Sequence, residues 1–189
     1  MIQVRLAAPR RAVRVTGLIL AAALLRALLL PLGDALSTIV FGGCLLAISW
    51  FEREPSTGEA RWGRGRSLIA GSMVGAILLA PVVTGPLSAR GLGAFWSWAA
   101  IAAVIASLEE TSIRGVLYRR WAGEAGTVAA ILAGAAVFAL IHLPRYGLAA
   151  LPLDAAVGLA LGGLRALTGR VFPCAIAHTL ADWGAWFWA

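Results

Sequence analysis

The sequence predicts an all-α fold, a polytopic bundle of about seven transmembrane helices forming one integral membrane domain over residues 1–189. Three observations predict it. Hydrophobic residues make up 60% of the 189 and charged residues 13%, with a mean hydropathy of +0.85, a balance that excludes an ordinary soluble domain. The apolar residues gather into runs close to the roughly 20 residues that a helix needs to cross a bilayer. The formal charge of +7 comes from sixteen arginines and no lysine, scattered between those runs. Nucleic-acid binding would need them clustered on a soluble face, whereas positive loops that orient membrane helices account for the excess.

Taken in order, the first helix is expected from about Ala12 to Leu32, closed by Pro31 and Gly33 and preceded by Arg5, Arg10, Arg11 and Arg14. Its start resembles a signal peptide, but Arg26 interrupts the apolar run and no small-residue cleavage site follows, so it reads as a membrane helix. Arg26 is expected to face other helices or to snorkel. A second helix, about Ala35 to Phe51, leads into a polar loop, EREPSTGEARWGRGR, with four arginines. The third, about Leu68 to Leu87, carries Gly71 and Gly75 at a spacing that lets helices approach closely.

A fourth helix starts near Gly93 and ends in a short loop, WAGEAG. The fifth, about Thr127 to Leu143, closes at Pro144. The sixth, about Pro152 to Leu167, has Gly158 and Gly162 at packing spacing. The seventh begins near Val171 with Pro173 in its first turn, where proline is tolerated. This order collects Arg5, 10, 11, 14, 53, 61, 64, 66, 119, 120, 165 and 170 on one side, against Arg90 and Arg145 on the other. The positive side is cytoplasmic, so the chain is expected in a bacterial cytoplasmic membrane, multi-pass, with its N-terminus inside. Tryptophans agree: Trp50, Trp62 and Trp121 fall near inner ends, and Trp96, Trp98, Trp186 and Trp188 near outer ends. Cys44 and Cys174 lie in apolar segments without a CxxC, so both read as buried free thiols.

The fourth helix carries the chemistry-bearing stretch. Fifteen residues from Ala94 to Leu108 hold no charge, and then come Glu109, Glu110 and Arg114. Fifteen helical residues span about 22 Å of a hydrocarbon core of about 30 Å, so the helix must carry these charges into the membrane. Each costs at least ~2.5 kcal/mol there, and such groups are usually paired and functional. Glu110 and Arg114 stand at i and i+4 in the favourable acid-first order. Arg114 therefore neutralises Glu110 and leaves Glu109, about 100° round the helix, free for chemistry. The chain's two histidines each lie in an apolar helix one turn from a partner, Phe138 with His142 and His178 with Asp182. Two such histidines together with an intramembrane glutamate pair point to a site.

These residues, Glu109-Glu110-x-x-x-Arg114, Phe138-x-x-x-His142 and His178-x-x-x-Asp182, in that order on successive helices, resemble the CPBP (Abi) intramembrane proteases. These are relatives of the CAAX prenyl endopeptidases. EETSIRGVL is similar to the family's EExxxRGxL, and FPCAIAHTLAD to its proline-led third motif. The likeness covers about residues 94–189, so residues 91–189 would be the catalytic helices and 1–90 N-terminal helices that match only in being hydrophobic. The resemblance implies an endopeptidase that cleaves a membrane-presented protein or peptide, at a C-terminal tail or sorting segment, with no cofactor. Glu109 would activate a water, His142 would help hold it, and His178 and Asp182 would stabilise the oxyanion. Burial beside Glu110 would make Glu109 an effective base, with Arg114 limiting the repulsion. Asp182 stands where the family more often has Asn. An ionised aspartate cannot donate to an oxyanion, so Asp182 is expected to accept a hydrogen bond from His178 and fix its imidazole.

Counted from the inner ends of their helices, Glu109 and His178 lie about ten and seven residues deep and His142 about fifteen. That offset of roughly 8 to 12 Å at helical rise must be absorbed by tilt or a broken helix. Three other readings compete. Glu109, His142 and His178 are able to hold a catalytic Zn2+. The motif helices of a bacteriocin-immunity or scaffold protein would only pack and bind a partner. A proton-coupled transporter also uses intramembrane Glu, His and Asp, but this chain has neither an internal repeat nor paired broken helices.

Overall fold

The structure, a computed structural model, describes residues 10–53, 60–79 and 92–188, with Leu92 and Trp188 described in backbone alone. Arg5, Arg90, the middle of the polar loop and the expected end of the third segment at Leu87 lie outside the described residues. Among those described, the chain is all-helical with no strand.

Helix α1 spans Arg10–Leu29 and closes in a 3-10 turn at Leu30–Leu32, and α2 spans Asp34–Phe51. Helix α3 is Arg64–Leu78. Helix α4, Leu92–Glu110, runs without a break through a π-helical stretch, Thr111–Leu117, into α5, Tyr118–Ala125. Helices α6, Thr127–Tyr146, α7, Leu151–Thr168, and α8, Phe172–Trp188, complete the chain. With α4 to α5 as one rod, the described residues form seven helical rods, a polytopic bundle. Four are long and apolar enough to cross a membrane: Arg10–Leu32, Asp34–Phe51, Thr127–Tyr146 and Leu148–Thr168. Their outward faces are apolar, with Val13, Ile39, Val128 and Leu153 all exposed, as a lipid-facing surface requires.

Three boundaries differ from the sequence expectation. Helix α3 begins at Arg64, inside the expected polar loop, rather than at Leu68. The loop expected at WAGEAG is a helix up to Ala125, and only Gly126, at φ +89°, turns the chain. Ala122, Glu124 and Ala125 favour helix, and the turn is tied down. Trp121 Nε1 donates to Thr16 Oγ1 at 3.1 Å, and Glu124 accepts from the Ala12 backbone N–H at 3.3 Å, meeting a donor of the first turn of α1 with negative charge. Helix α6 likewise runs past Pro144 to Tyr146. A proline removes one hydrogen bond, and here the helix ends within a turn, closed by Gly147 N–H on the Leu143 carbonyl at 2.9 Å.

The longer α5 removes part of the expected depth offset. Glu109 stands sixteen residues before Ala125 and His142 fifteen after Thr127, so one hairpin carries both to the same level. Helix α7 packs tightly on α6: a Cβ at Gly158 would lie 2.7 Å from Ala135 Cα. Helix α3 packs equally closely on α8, where a Cβ at Gly71 would lie 2.6 Å from the Pro173 carbonyl oxygen. The core between them is filled by Val15, Ile19, Phe41, Leu45, Ile113 and Leu161. Cys44 and Cys174 are free thiols; Cys174 is buried as expected, but Cys44 is only half-buried.

Candidate active site

The site begins where the α4 rod changes pitch. Thr111, Ile113 and Val116 are β-branched and Gly115 lacks a side chain, all weak helix formers. Thr111 Oγ1 donates back to the Ser107 carbonyl at 2.7 Å, and Ser107 to Ala103, contacts that loosen a helix. The ladder widens to a π-helix over Thr111–Leu117, a feature common at functional sites. Neighbouring helices hold the widened stretch. Arg165 Nε donates to the Arg114 carbonyl at 2.8 Å, and the Ser112 and Ser49 hydroxyls lie 2.9 Å apart.

Just before and within this stretch, Glu109, Glu110 and Arg114 are 3%, 0% and 1% exposed. Arg114 Nη1 donates to Glu110 Oε1 at 3.0 Å, and Nη2 to the Gly158 carbonyl at 3.1 Å. The missing side chain of Gly158 lets α7 come close enough to offer that carbonyl. The Arg114 guanidinium lies over the Phe138 ring, 4.7 Å from its centroid, a cation–π contact. Phe138 also meets His178 edge-on at 5.2 Å and His142 at 4.3 Å between centroids. It is the apolar support against which three polar groups are set.

His142 lies at the cavity, not toward lipid. Its Nδ1 is 2.8 Å from the Phe138 carbonyl oxygen. A ring N–H donated there puts the other nitrogen's lone pair, on Nε2, toward Glu109 Oε2, 3.8 Å away. His178 Nδ1 is 3.1 Å from Glu110 Oε1, and its Nε2 is 3.9 Å from Glu109 Oε2. The hydrogen bond expected between His178 and Asp182 is not made. Asp182 Oδ1 stands 3.7 Å from His178 Nε2 with its side chain 36% exposed. Asp182 is left beyond hydrogen-bond reach of Nε2, and the carboxylate that holds the imidazole is Glu110, which the bundle brings to the opposite ring nitrogen.

Glu109, His142, His178 and Asp182 border a cavity of about 310 Å³ lined also by Trp98, Trp186, Tyr146, Asp34 and Arg145. Arg145 closes a bidentate pair with Asp34, at 2.8 and 3.2 Å, beside it. One group escaped the motif reading. Arg26 of α1, expected only to face helices or snorkel, is 8% exposed, borders the cavity and stands 3.9 Å from Glu109 Oε1. A lone charge inside an apolar run was the signal that could have found it. The gaps of 3.8 and 3.9 Å around Glu109 are too long for hydrogen bonds, and one water can bridge such a gap. Ligand atoms of Glu109, His142 and His178 also lie within 4.8 Å of one another, close enough to face a single ion.

A family model described as Type II CAAX prenyl endopeptidase Rce1-like matches residues 91–184, the stretch that holds all three motifs. No curated protein and no solved structure shows significant similarity to the chain.

Proposed function

We propose that this chain, which through residues 91–184 belongs to the Rce1-like family of type II CAAX prenyl endopeptidases, is an intramembrane endopeptidase that works by a glutamate-activated water. The observation that carries the reading is the buried Glu109 carboxylate, which meets two histidine nitrogens at 3.8 and 3.9 Å on one oxygen, on the border of a cavity. In this reading a water held between Glu109 Oε2 and His142 Nε2 gives its proton to Glu109 and attacks the scissile carbonyl. His178, fixed through Nδ1 on Glu110, presents Nε2–H as imidazolium to the oxygen that becomes negative. Positioned proton transfer contributes roughly 10² to 10⁴ in rate and an oxyanion donor roughly 10² to 10³, so both are needed. Asp182 borders the same cavity and orients the substrate rather than the imidazole.

The substrate is a peptide presented from the face opposite the arginine-rich helix ends. Arg10, Arg11, Arg14, Arg53, Arg64, Arg119 and Arg170 gather at one end of the bundle in the chain's alternating helix order. The cavity is bordered by residues from the other helix ends: Arg26 late in α1, Asp34 at the start of α2, Trp98 early in α4, Arg145 late in α6 and Trp186 late in α8. With positive ends cytoplasmic, the N-terminus is inside and the cavity opens toward the outer half of the membrane. A C-terminal tail or sorting segment of an exported protein is the class of substrate that reaches it.

A second reading has its own support. His142 and His178 each engage a carbonyl or carboxylate through Nδ1 and turn Nε2 toward Glu109, the outer-shell pattern of zinc-binding histidines. Glu109, His142 and His178 would then hold Zn2+ with a fourth position for water. Cleavage by the purified, membrane-reconstituted chain in a strong chelator separates the two. Activity that persists supports the glutamate mechanism, and activity lost with the chelator and restored by Zn2+ overturns it.

A further inference from the structure

Arg26 has no assigned role, and it comes from α1, outside residues 91–184. Its side chain is 9% exposed and its guanidinium lies over the Phe41 ring, 4.8 Å from the centroid. It borders the cavity, yet Nε is buried without a hydrogen-bond partner. The Glu109 oxygen that it faces stands 3.9 Å from Nη1, beyond hydrogen-bond reach. Arg114, by contrast, is bonded to Glu110 at 3.0 Å and to a backbone carbonyl at 3.1 Å. A guanidinium keeps its charge and carries five N–H donors. One buried this far, with Nε unpartnered and no hydrogen bond from Nη1 or Nη2 among the described residues, has donors left for a group that arrives with the ligand.

The two oxygens of Glu109 divide the cavity. Oε2 faces both histidines and Oε1 faces Arg26, so the cation lies across the carboxylate from the position proposed for the water. Asp182, which also stands near His178 Nε2, is an acceptor when ionised and repels an anion. Among the described residues Arg26 is the permanent cation at the cavity that makes no hydrogen bond: it has only a long ion pair with Glu109 and the Phe41 ring, whereas Arg145 is committed to Asp34. Its planar fork matches a carboxylate bidentately.

We propose that Arg26 binds an anionic oxygen of the bound peptide, an inference that rests on the peptidase reading above. Two sources supply such an oxygen. One is a free C-terminal carboxylate. The other is the scissile carbonyl oxygen after addition, when the water oxygen bonds to the carbonyl carbon, its proton passes to Glu109, and the carbonyl π pair moves onto oxygen.

The test uses the full chain in lipid nanodiscs, as wild type, Arg26→Gln and Arg26→Lys, each checked for wild-type thermal unfolding. Binding is read by anisotropy with a fluorescently labelled, N-palmitoylated alanine-rich decapeptide made as free acid and as C-terminal amide. Turnover is read on a peptide from a cellular precursor. A carboxylate anchor predicts that wild type binds the acid at least tenfold tighter than the amide, that Arg26→Gln erases the difference, and that Arg26→Lys keeps part of it. An oxyanion contact predicts equal binding of both peptides throughout, with kcat at least tenfold lower in Arg26→Gln at unchanged KM. Arg26→Gln that binds both peptides and turns over like wild type overturns the proposal. Where wild type itself turns nothing over, the peptidase reading fails separately, and an acid preference that vanishes in Arg26→Gln still upholds the anion site. Its absence there overturns that too.

Discussion

Glu110 and His178, sixty-eight residues apart in sequence, are joined by a contact of 3.1 Å between Oε1 and Nδ1, and the same oxygen accepts from Arg114 Nη1 at 3.0 Å. The second glutamate of the pair is therefore a junction between α4 and α8. It neutralises one cation and sets the ring orientation of a histidine whose other nitrogen faces the cavity.

Removing that junction is expected to cost more than removing Asp182. Glu110→Ala leaves Arg114 buried without its carboxylate and His178 without its anchor, and breaking a buried pair in this way destabilises by about 3–5 kcal/mol. Asp182, partly exposed and 3.7 Å from the ring, is expected to lose less than tenfold in cleavage rate as Asp182→Asn. Thermal unfolding and cleavage rates of the two variants check the order. Asp182→Asn falling as far as Glu110→Ala would return the orienting role to Asp182.

His142→Ala is expected to lower kcat by roughly 10² while leaving the fold intact, because it removes the group that positions the water for proton transfer to Glu109 and the ring is half-buried at a cavity rather than packed in the core. Its KM for a peptide substrate should stay within a few-fold. A rise in KM with kcat unchanged would make His142 a binding group.

Gly158→Val tests how the site is held. Its first added atom would meet Ala135 Cα at 2.7 Å, so α7 must move from α6 and draw its carbonyl from Arg114. Overpacking of this kind costs about 1–3 kcal/mol, and cleavage should fall with the thermal midpoint. Gly17→Val, where nothing lies within 4 Å of the added Cβ, is the control that should leave both nearly unchanged.

Much of this arrangement was legible in one dimension because membranes penalise charge. Glu109, Glu110 and Arg114 at the end of an uncharged run, and His142 and His178 in apolar helices, stand out on that ground alone, and the loops between apolar runs give the seven rods. What stayed hidden depends on neighbours in space. The bond from Glu110 to His178 crosses sixty-eight residues, and no local spacing announces it. The local i, i+4 rule drew Asp182 toward His178 instead. The π-helical stretch at Thr111–Leu117 is held open partly by Arg165 from α7. The helix through Trp121–Ala125 persists because α1 supplies partners for Trp121 and Glu124. Arg26 carried the same signal as Glu109 but no motif, and its place beside the site follows only from how α1 packs.

The central claim is that Glu109 is the base of a peptidase, and it is tested most directly by a mass-spectrometric census of membrane-protein termini in source cells. Wild type is compared with Glu109→Gln, which keeps the side chain's shape and removes its basicity. The account predicts that a defined set of cleaved termini disappears in the variant and that the uncleaved precursors accumulate, with the lost termini on the outer face of the membrane. Termini unchanged in Glu109→Gln, together with rescue of a deletion phenotype by that variant, would contradict it and leave the three motifs to a bacteriocin-immunity or scaffold role.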